Sequence, residues 1–141
     1  MINSYIHGGA WRDPLITSSS FNPARDILLN TSLPLQGLAS INYRLSPYPS
    51  HPTHPSSPDD DSRNAKHPDH LTDVLSALEY LHEHYIFDNK YIIVGHSCGA
   101  TLALQACASL TAATVPPPLA AACVEGIYDM PGLVSHNSHP A

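Results

Sequence analysis

With 141 residues, 43% hydrophobic and 13% charged, the chain has enough apolar material for one domain with a buried core and too much for a disordered one. A net charge of -6 with no basic patch argues against nucleic acid as a partner, and no apolar run is long enough to span a bilayer. Cys98, Cys107 and Cys123 show no C-x-x-C spacing and the N-terminus shows no signal peptide, so a reduced, cytoplasmic protein is expected.

Residues 2–7 open as a short strand, which Gly8-Gly9 break. The run His7-Gly8-Gly9-Ala10-Trp11 carries a chemical signal. A glycine pair after a strand presents backbone N–H groups that can hold an oxyanion; alone it reads as an ordinary turn, and the elbow further along favours the oxyanion reading. His7, at the strand end, reads as an organiser of the loop rather than a base. Asn22-Pro23 starts a helix, with Asn22 as N-cap and Pro23 in the first turn. Ile27, Leu28 and Leu33 supply its apolar face, and residues 38–43 read as the next strand.

Residues 46–68 are rich in Pro, Ser and His around Asp59-Asp60-Asp61 and read as a solvated surface loop. His51, His54, His67 and His70 match no zinc spacing, so no metal is expected. Then Leu71, Val74, Leu75, Leu78, Leu81 and Tyr85 recur at helical spacing, which predicts an amphipathic helix on the sheet. Asp69 and Asp73 fall in its first turns, where acids suit the helix dipole. His82 and His84, two apart, share no helix face and read as solvated.

Residues 91–94 are an apolar, β-branched run, Gly95-His96-Ser97-Cys98-Gly99 fits G-x-S-x-G, and residues 100–110 form a small-residue helical pattern. Strand, tight turn and helix are the context of a nucleophile elbow, with Ser97 on a strained turn. Gly95 and Gly99 let strand and helix approach without a Cβ clash. Val115-Pro116-Pro117-Pro118 is a stiff link to a strand at 119–127, and the residues from 130 onward show no strand or helix signal. This alternation predicts an α/β fold: a parallel sheet of about four strands, right-handed crossovers, helices on both faces and Ser97 at the carboxyl edge. The domain organisation expected is one core over 1–131, interrupted by the loop at 46–68, and a polar tail at 132–141.

These residues resemble the α/β-hydrolase superfamily in its HGG-type esterase and lipase branch, and within it the fungal kynurenine formamidases (arylformamidases). The resemblance rests on His7-Gly8-Gly9-Ala10-Trp11-Arg12-Asp13-Pro14, Asn42-Tyr43-Arg44-Leu45-Ser46-Pro47, Asn64-Ala65-Lys66-His67-Pro68, the elbow through Ala100, and Glu125-Gly126-Ile127-Tyr128-Asp129. The elbow and glycine turn are shared by many esterases. The extension from Ala10 to Pro14 and the run from Glu125 to Asp129 point to the formamidases.

The resemblance implies a partial α/β-hydrolase fold, with the 2–7 strand between those at 38–43 and 91–94 and the 119–127 strand outside the latter. It implies Ser97 as nucleophile and the N–H groups of Gly8, Gly9 and Cys98 as oxyanion hole. It places Trp11 and Tyr128 near the pocket of a small-molecule substrate and calls for no metal or organic cofactor. The implied reaction hydrolyses N-formyl-L-kynurenine to L-kynurenine and formate, a step of tryptophan degradation toward NAD. In this superfamily an acid and then a histidine follow the nucleophile. Here only Asp129 with His136 or His139 keeps that order, and the tail offers no strand to aim the histidine. The expectation is therefore a truncated chain holding the elbow and oxyanion turn, poorly active alone, with unpaired outer strands. A general carboxylesterase and a non-catalytic remnant are the alternative readings.

Overall fold

The structure, a computed structural model, describes residues 2–85, 87–110 and 115–137. Its sheet is built outward from β1 (Ile2–Ile6), which pairs in parallel with β2 (Gly37–Ile41) on one side and β3 (Tyr91–His96) on the other. A fourth strand, β4 (Ala120–Val124), adds in parallel outside β3, giving the order β2-β1-β3-β4. Order and direction are those the resemblance implies. The two central strands are the most buried, as expected where a parallel sheet is covered on its faces.

One face carries the main core. Helices α2 (Asp69–Tyr85) and α3 (Cys98–Ser109) lay Val74, Leu78, Leu102, Ala103 and Ala106 against Ile6, Tyr91 and Ile93, all buried. The small residues of α3 bring that helix close to the strands. On the opposite face Tyr5 stacks on Phe21, with ring centroids 4.8 Å apart. Phe21 closes a 3₁₀ turn, Ser18–Phe21, that leads straight into α1 (Asn22–Leu29).

Several expectations differ at this level. Phe21, not Asn22, stands at the N-cap of α1, without a side-chain cap bond, and the Asn22 amide oxygen accepts from Arg25 instead. Nothing in α1 is buried: Ile27 is 68% exposed, and Leu33 is exposed as well. The helix is anchored by the Tyr5–Phe21 stack before it, not by its own apolar stripe. On α2 the expected stripe packs as far as Leu81, but Tyr85 at the helix end is exposed. The His82 ring meets the edge of Phe87 and is half-buried, whereas His84 is exposed and stacks on Tyr80.

The loop at 46–68 is largely exposed, as expected of a surface loop. It folds back on the body through Ser46 N–H to Trp11 O at 2.7 Å, Leu45 N–H to Ser62 O at 2.7 Å and Ala65 N–H to Leu45 O at 3.0 Å. Asp60 caps a 3₁₀ turn, Asp61–Arg63, and the Asn64 amide donates to the carbonyls of Ser57, Pro58 and Asp60. The polar side chains satisfy the loop's own backbone, which is how a polar segment packs down. His51 and Ala65 are buried in it.

At the other end, β4 stops at Val124, and Glu125 breaks it with φ 51°. Helix α4 (Met130–Asn137) follows where no helix was expected. The Asp129 carboxylate accepts from Gly132 N–H at 2.8 Å and Pro131 sits in the first turn, a standard helix start. Among the described residues no strand pairs with the outer edge of β2 or of β4, and no helix is long and apolar enough to cross a membrane.

Candidate functional site

The parallel pairing of β1 with β3 brings two turns together at the carboxyl edge of the sheet. On one side β3 ends at His96, and Ser97 takes φ 53° and ψ -122° before α3 begins. A residue other than glycine in such a conformation costs on the order of 1–3 kcal/mol, so the surrounding structure must impose it. Ser97 N–H donates to Val124 O at 2.8 Å, and Ala100 N–H donates to Ser97 O at 3.0 Å. A Cβ on Gly95 would press on Gly99 O and, at 2.6 Å, on the backbone of Ala100; one on Gly99 would press on the carbonyls of Ile6 and His7. Both positions therefore admit only glycine. Ser97 is half-exposed at the apex.

On the other side β1 runs into His7, Gly8 and Gly9, the last at φ 94°. A Cβ on Gly8 would lie 3.1 Å from Ser97 Cβ and 3.0 Å from His96 Nδ1, so this turn leans on the elbow. His7 is 2% exposed, stacks on Tyr43 with centroids 4.4 Å apart, and donates Nδ1–H to Gly8 O at 2.9 Å. Burial lowers its pKa, against the opposing effect of that bond. The Tyr43 hydroxyl donates to His7 O at 2.9 Å and to Gly8 O at 3.2 Å. Burial and the neighbouring Cys98 raise its own pKa. In a trans peptide the C=O and the next N–H point in opposite directions. Holding the carbonyls of His7 and Gly8 toward Tyr43 therefore turns the N–H groups of Gly8 and Gly9 away from it. Cys98, whose N–H opens α3, is buried beside them, with Sγ accepting from Trp11 N–H at 3.3 Å and lying 3.5 Å from the Tyr43 hydroxyl.

Trp11 follows in a left-handed conformation, φ 60°, and its ring packs half-buried against the core. It lines a cavity of about 360 Å³ together with Ser46, His70, Thr101, Gln105 and Met130. Ser97 itself opens on a neighbouring cleft of about 290 Å³, lined by Gly9, Ala10, Arg12, Asp13 and Tyr48. Ala10 borders both spaces. Tyr128 lines neither: it is 57% exposed and its ring folds over Gly126.

Asp129 and His136 are not brought to Ser97. Asp129 is spent on capping α4, His136 is exposed in the last turn of that helix, and His139 lies outside the described residues. Among the described residues the Ser97 hydroxyl makes no hydrogen bond, and no group of three or more His, Cys, Asp or Glu side chains is placed to hold a metal.

Other polar groups around the elbow drew no role from sequence. His96 meets Glu125 at 3.0 Å, Nε2 to carboxylate. His70, read as part of the loop, lies buried on α2 with Nε2 3.0 Å from Ser46 Oγ, and burial lowers its pKa. His51 lies buried 3.5 Å from Asp13. Asp73 serves Arg44 rather than the helix dipole, in a two-pronged ion pair at 2.8 Å and 2.9 Å. No local sequence signal joins Arg44 to Asp73, which lie 29 residues apart.

No protein-family model matches the chain. It is 46% identical over 134 residues to a kynurenine formamidase-like hydrolase of Fusarium equiseti, covering 90% of this chain and 45% of that protein. It is 41% identical over 141 residues to a kynurenine formamidase of Aspergillus versicolor, covering 96% of this chain and 46% of the relative. A kynurenine formamidase of Meyerozyma guilliermondii is 40% identical over 139 residues, covering 92% and 44%. The chain thus spans a little under half the length of the curated relatives it matches. Among solved structures, a bacterial heroin esterase superposes with a TM-score of 0.66 at 21% identity, over 91% of this chain and 35% of that one, a likeness of fold.

Proposed function

We infer that this chain, a relative of the kynurenine formamidases built on the α/β-hydrolase fold, carries the nucleophile and oxyanion side of a hydrolase for N-formyl-L-kynurenine. The observation that supports this most is the strained Ser97 between two obligatory glycines, with Gly8 packed against it. Ser97 Oγ attacks the formyl carbon. The negative charge that develops on the formyl oxygen falls to the N–H groups of Gly8, Gly9 and Cys98, donors fixed before the reaction starts. Collapse releases L-kynurenine as its amine takes a proton, leaving Ser97 formylated. Water then attacks the ester, and formate leaves with Ser97 restored.

A serine hydroxyl is a weak nucleophile until a base removes its proton. No described histidine is bonded to Ser97, and the relatives are about twice as long. The base accordingly belongs to the part of their length that this chain does not match. Three free cysteines support a reducing, cytoplasmic setting.

The test is formate release from N-formyl-L-kynurenine beside hydrolysis of short acyl esters of p-nitrophenol. It is run with the chain alone and with the unmatched segment of the Fusarium equiseti relative added. Higher kcat/KM for the formamide supports the assignment. Ester turnover without formamide turnover makes the protein a carboxylesterase instead, and no turnover of either makes it a non-catalytic remnant.

A further inference from the structure

The cleft that opens on Ser97 is charged along one wall, and the chemistry above uses none of that charge. Three successive left-handed residues, Gly9, Ala10 and Trp11, reverse the chain after β1. Arg12 N–H and Asp13 N–H then both donate to Gly9 O, at 3.0 Å and 2.9 Å, which fixes the two residues at the cleft. The Arg12 guanidinium lies over the Tyr48 ring, 4.3 Å from its centroid, so the aromatic face positions the cation. Among the described residues no carboxylate pairs with it.

Asp13 is placed by other means. Its Oδ1 accepts from Leu15 N–H at 2.9 Å and faces His51 Nε2 at 3.5 Å. His51 is buried, and its Nδ1 accepts from the N–H groups of His54 and Thr53, so the ring proton sits on Nε2, toward Asp13. Asp13 stays 35% exposed, and among the described residues its Oδ2 takes no hydrogen bond. A fixed cation without a counter-ion and a fixed anion with a spare oxygen therefore stand side by side next to a nucleophile.

We propose that Arg12 and Asp13 form a subsite for the zwitterionic head of an α-amino acid, Arg12 taking the carboxylate and Asp13 the ammonium group. The fork of a guanidinium matches a carboxylate, and the adjacency of the two residues matches a head whose charges are joined through one carbon. The subsite rests on Ser97 being the reacting centre, and it gives the cleft a reason to prefer amino-acid amides over neutral esters.

The experiment measures binding to the whole 141-residue chain by titration calorimetry, without turnover. The probes are L-kynurenine and 2-aminoacetophenone, which keeps the aromatic ketone and lacks the head. L-Kynurenine should bind at least about tenfold more tightly than 2-aminoacetophenone. Arg12→Gln and Asp13→Asn should each remove most of that preference while leaving 2-aminoacetophenone binding unchanged, and Arg12→Lys should retain part of it. Equal affinity for the two probes, no binding of L-kynurenine, or a preference that survives both neutral variants overturns the proposal. Circular dichroism verifies the variants, and the wild-type comparison decides alone if either fails to fold. A chain that prefers L-kynurenine but never releases formate keeps the subsite and loses the formamidase assignment, so the two fail separately.

Discussion

The ring of Tyr43 lies flat on that of His7, 4.4 Å away and 10° from parallel, while its hydroxyl holds the His7 carbonyl at 2.9 Å. One tyrosine from the end of β2 thus sets both the ring and the peptide at the end of β1. Through those two contacts the distant motif Asn42-Tyr43-Arg44 acts on the turn at Gly8-Gly9.

Tyr43→Phe keeps the stack and removes the donor. The carbonyls of His7 and Gly8 then lose a buried partner, at a cost of about 1–3 kcal/mol. Urea unfolding should show the midpoint falling with the slope unchanged. An unshifted midpoint would mean that the hydroxyl does not restrain the turn.

Gly99→Ala should be far worse than its one carbon suggests. The new methyl meets the backbone carbonyls of Ile6 and His7, which cannot rotate away. The loss should reach or exceed the roughly 1–3 kcal/mol of ordinary overpacking. Gly37→Ala is the control, because its Cβ would meet only Ile2 Cγ1 at 3.7 Å and Cδ1 at 4.0 Å. Soluble yield and melting temperature should separate the two variants clearly.

Acid should weaken the fold in two stages. His7 and His70 have pKa values lowered by burial, so below the ordinary histidine value of about 6.5 the unfolded chain binds protons that the folded one refuses. The stability they contribute is complete above that value and is lost as pH falls toward their folded pKa. For Asp73 burial acts against the charge but the Arg44 hydrogen bonds outweigh it, and the pKa is lowered. Its contribution is present above the unfolded carboxylate value of about 3.9 and is lost only below that. Melting curves between pH 5 and pH 7 should therefore show a slope that His70→Asn reduces and Asp73→Asn leaves in place.

The outer strands should make the isolated chain associate. Every alanine of β4 is exposed, and Val124 beside them is too. An uncovered strand edge is a template for pairing with another chain. Sedimentation should find concentration-dependent oligomers, whereas a monodisperse monomer with a sharp unfolding transition would contradict this.

The elbow was legible because its glycines are demanded by the close crossing of α3 over β1 and β3, and no other residue passes. The strand order was legible only through the family resemblance, since periodicity does not say which strands are neighbours. The loop at 46–68 was legible as an exposed surface loop, but the bonds by which Asp60 and Asn64 hold its own backbone were not, because composition does not say which polar side chain meets which backbone group. Helix α4 was missed although Asp129 and Pro131 mark its start, because its few apolar residues give no stripe. The charged cleft was out of reach: nothing in Ala10 or Trp11 announces a left-handed backbone, and without that reversal Arg12 and Asp13 would not face Ser97.

The most direct test of the account is the dependence of formate release on Ser97. The chain is combined with the unmatched segment of the Fusarium equiseti relative, and N-formyl-L-kynurenine turnover is followed for the parent and for Ser97→Ala. The parent should release formate well above the chain alone, and Ser97→Ala should fall by about 10⁶-fold, the loss seen when a serine hydrolase loses its nucleophile. Formate release that survives Ser97→Ala would remove Ser97 from the chemistry.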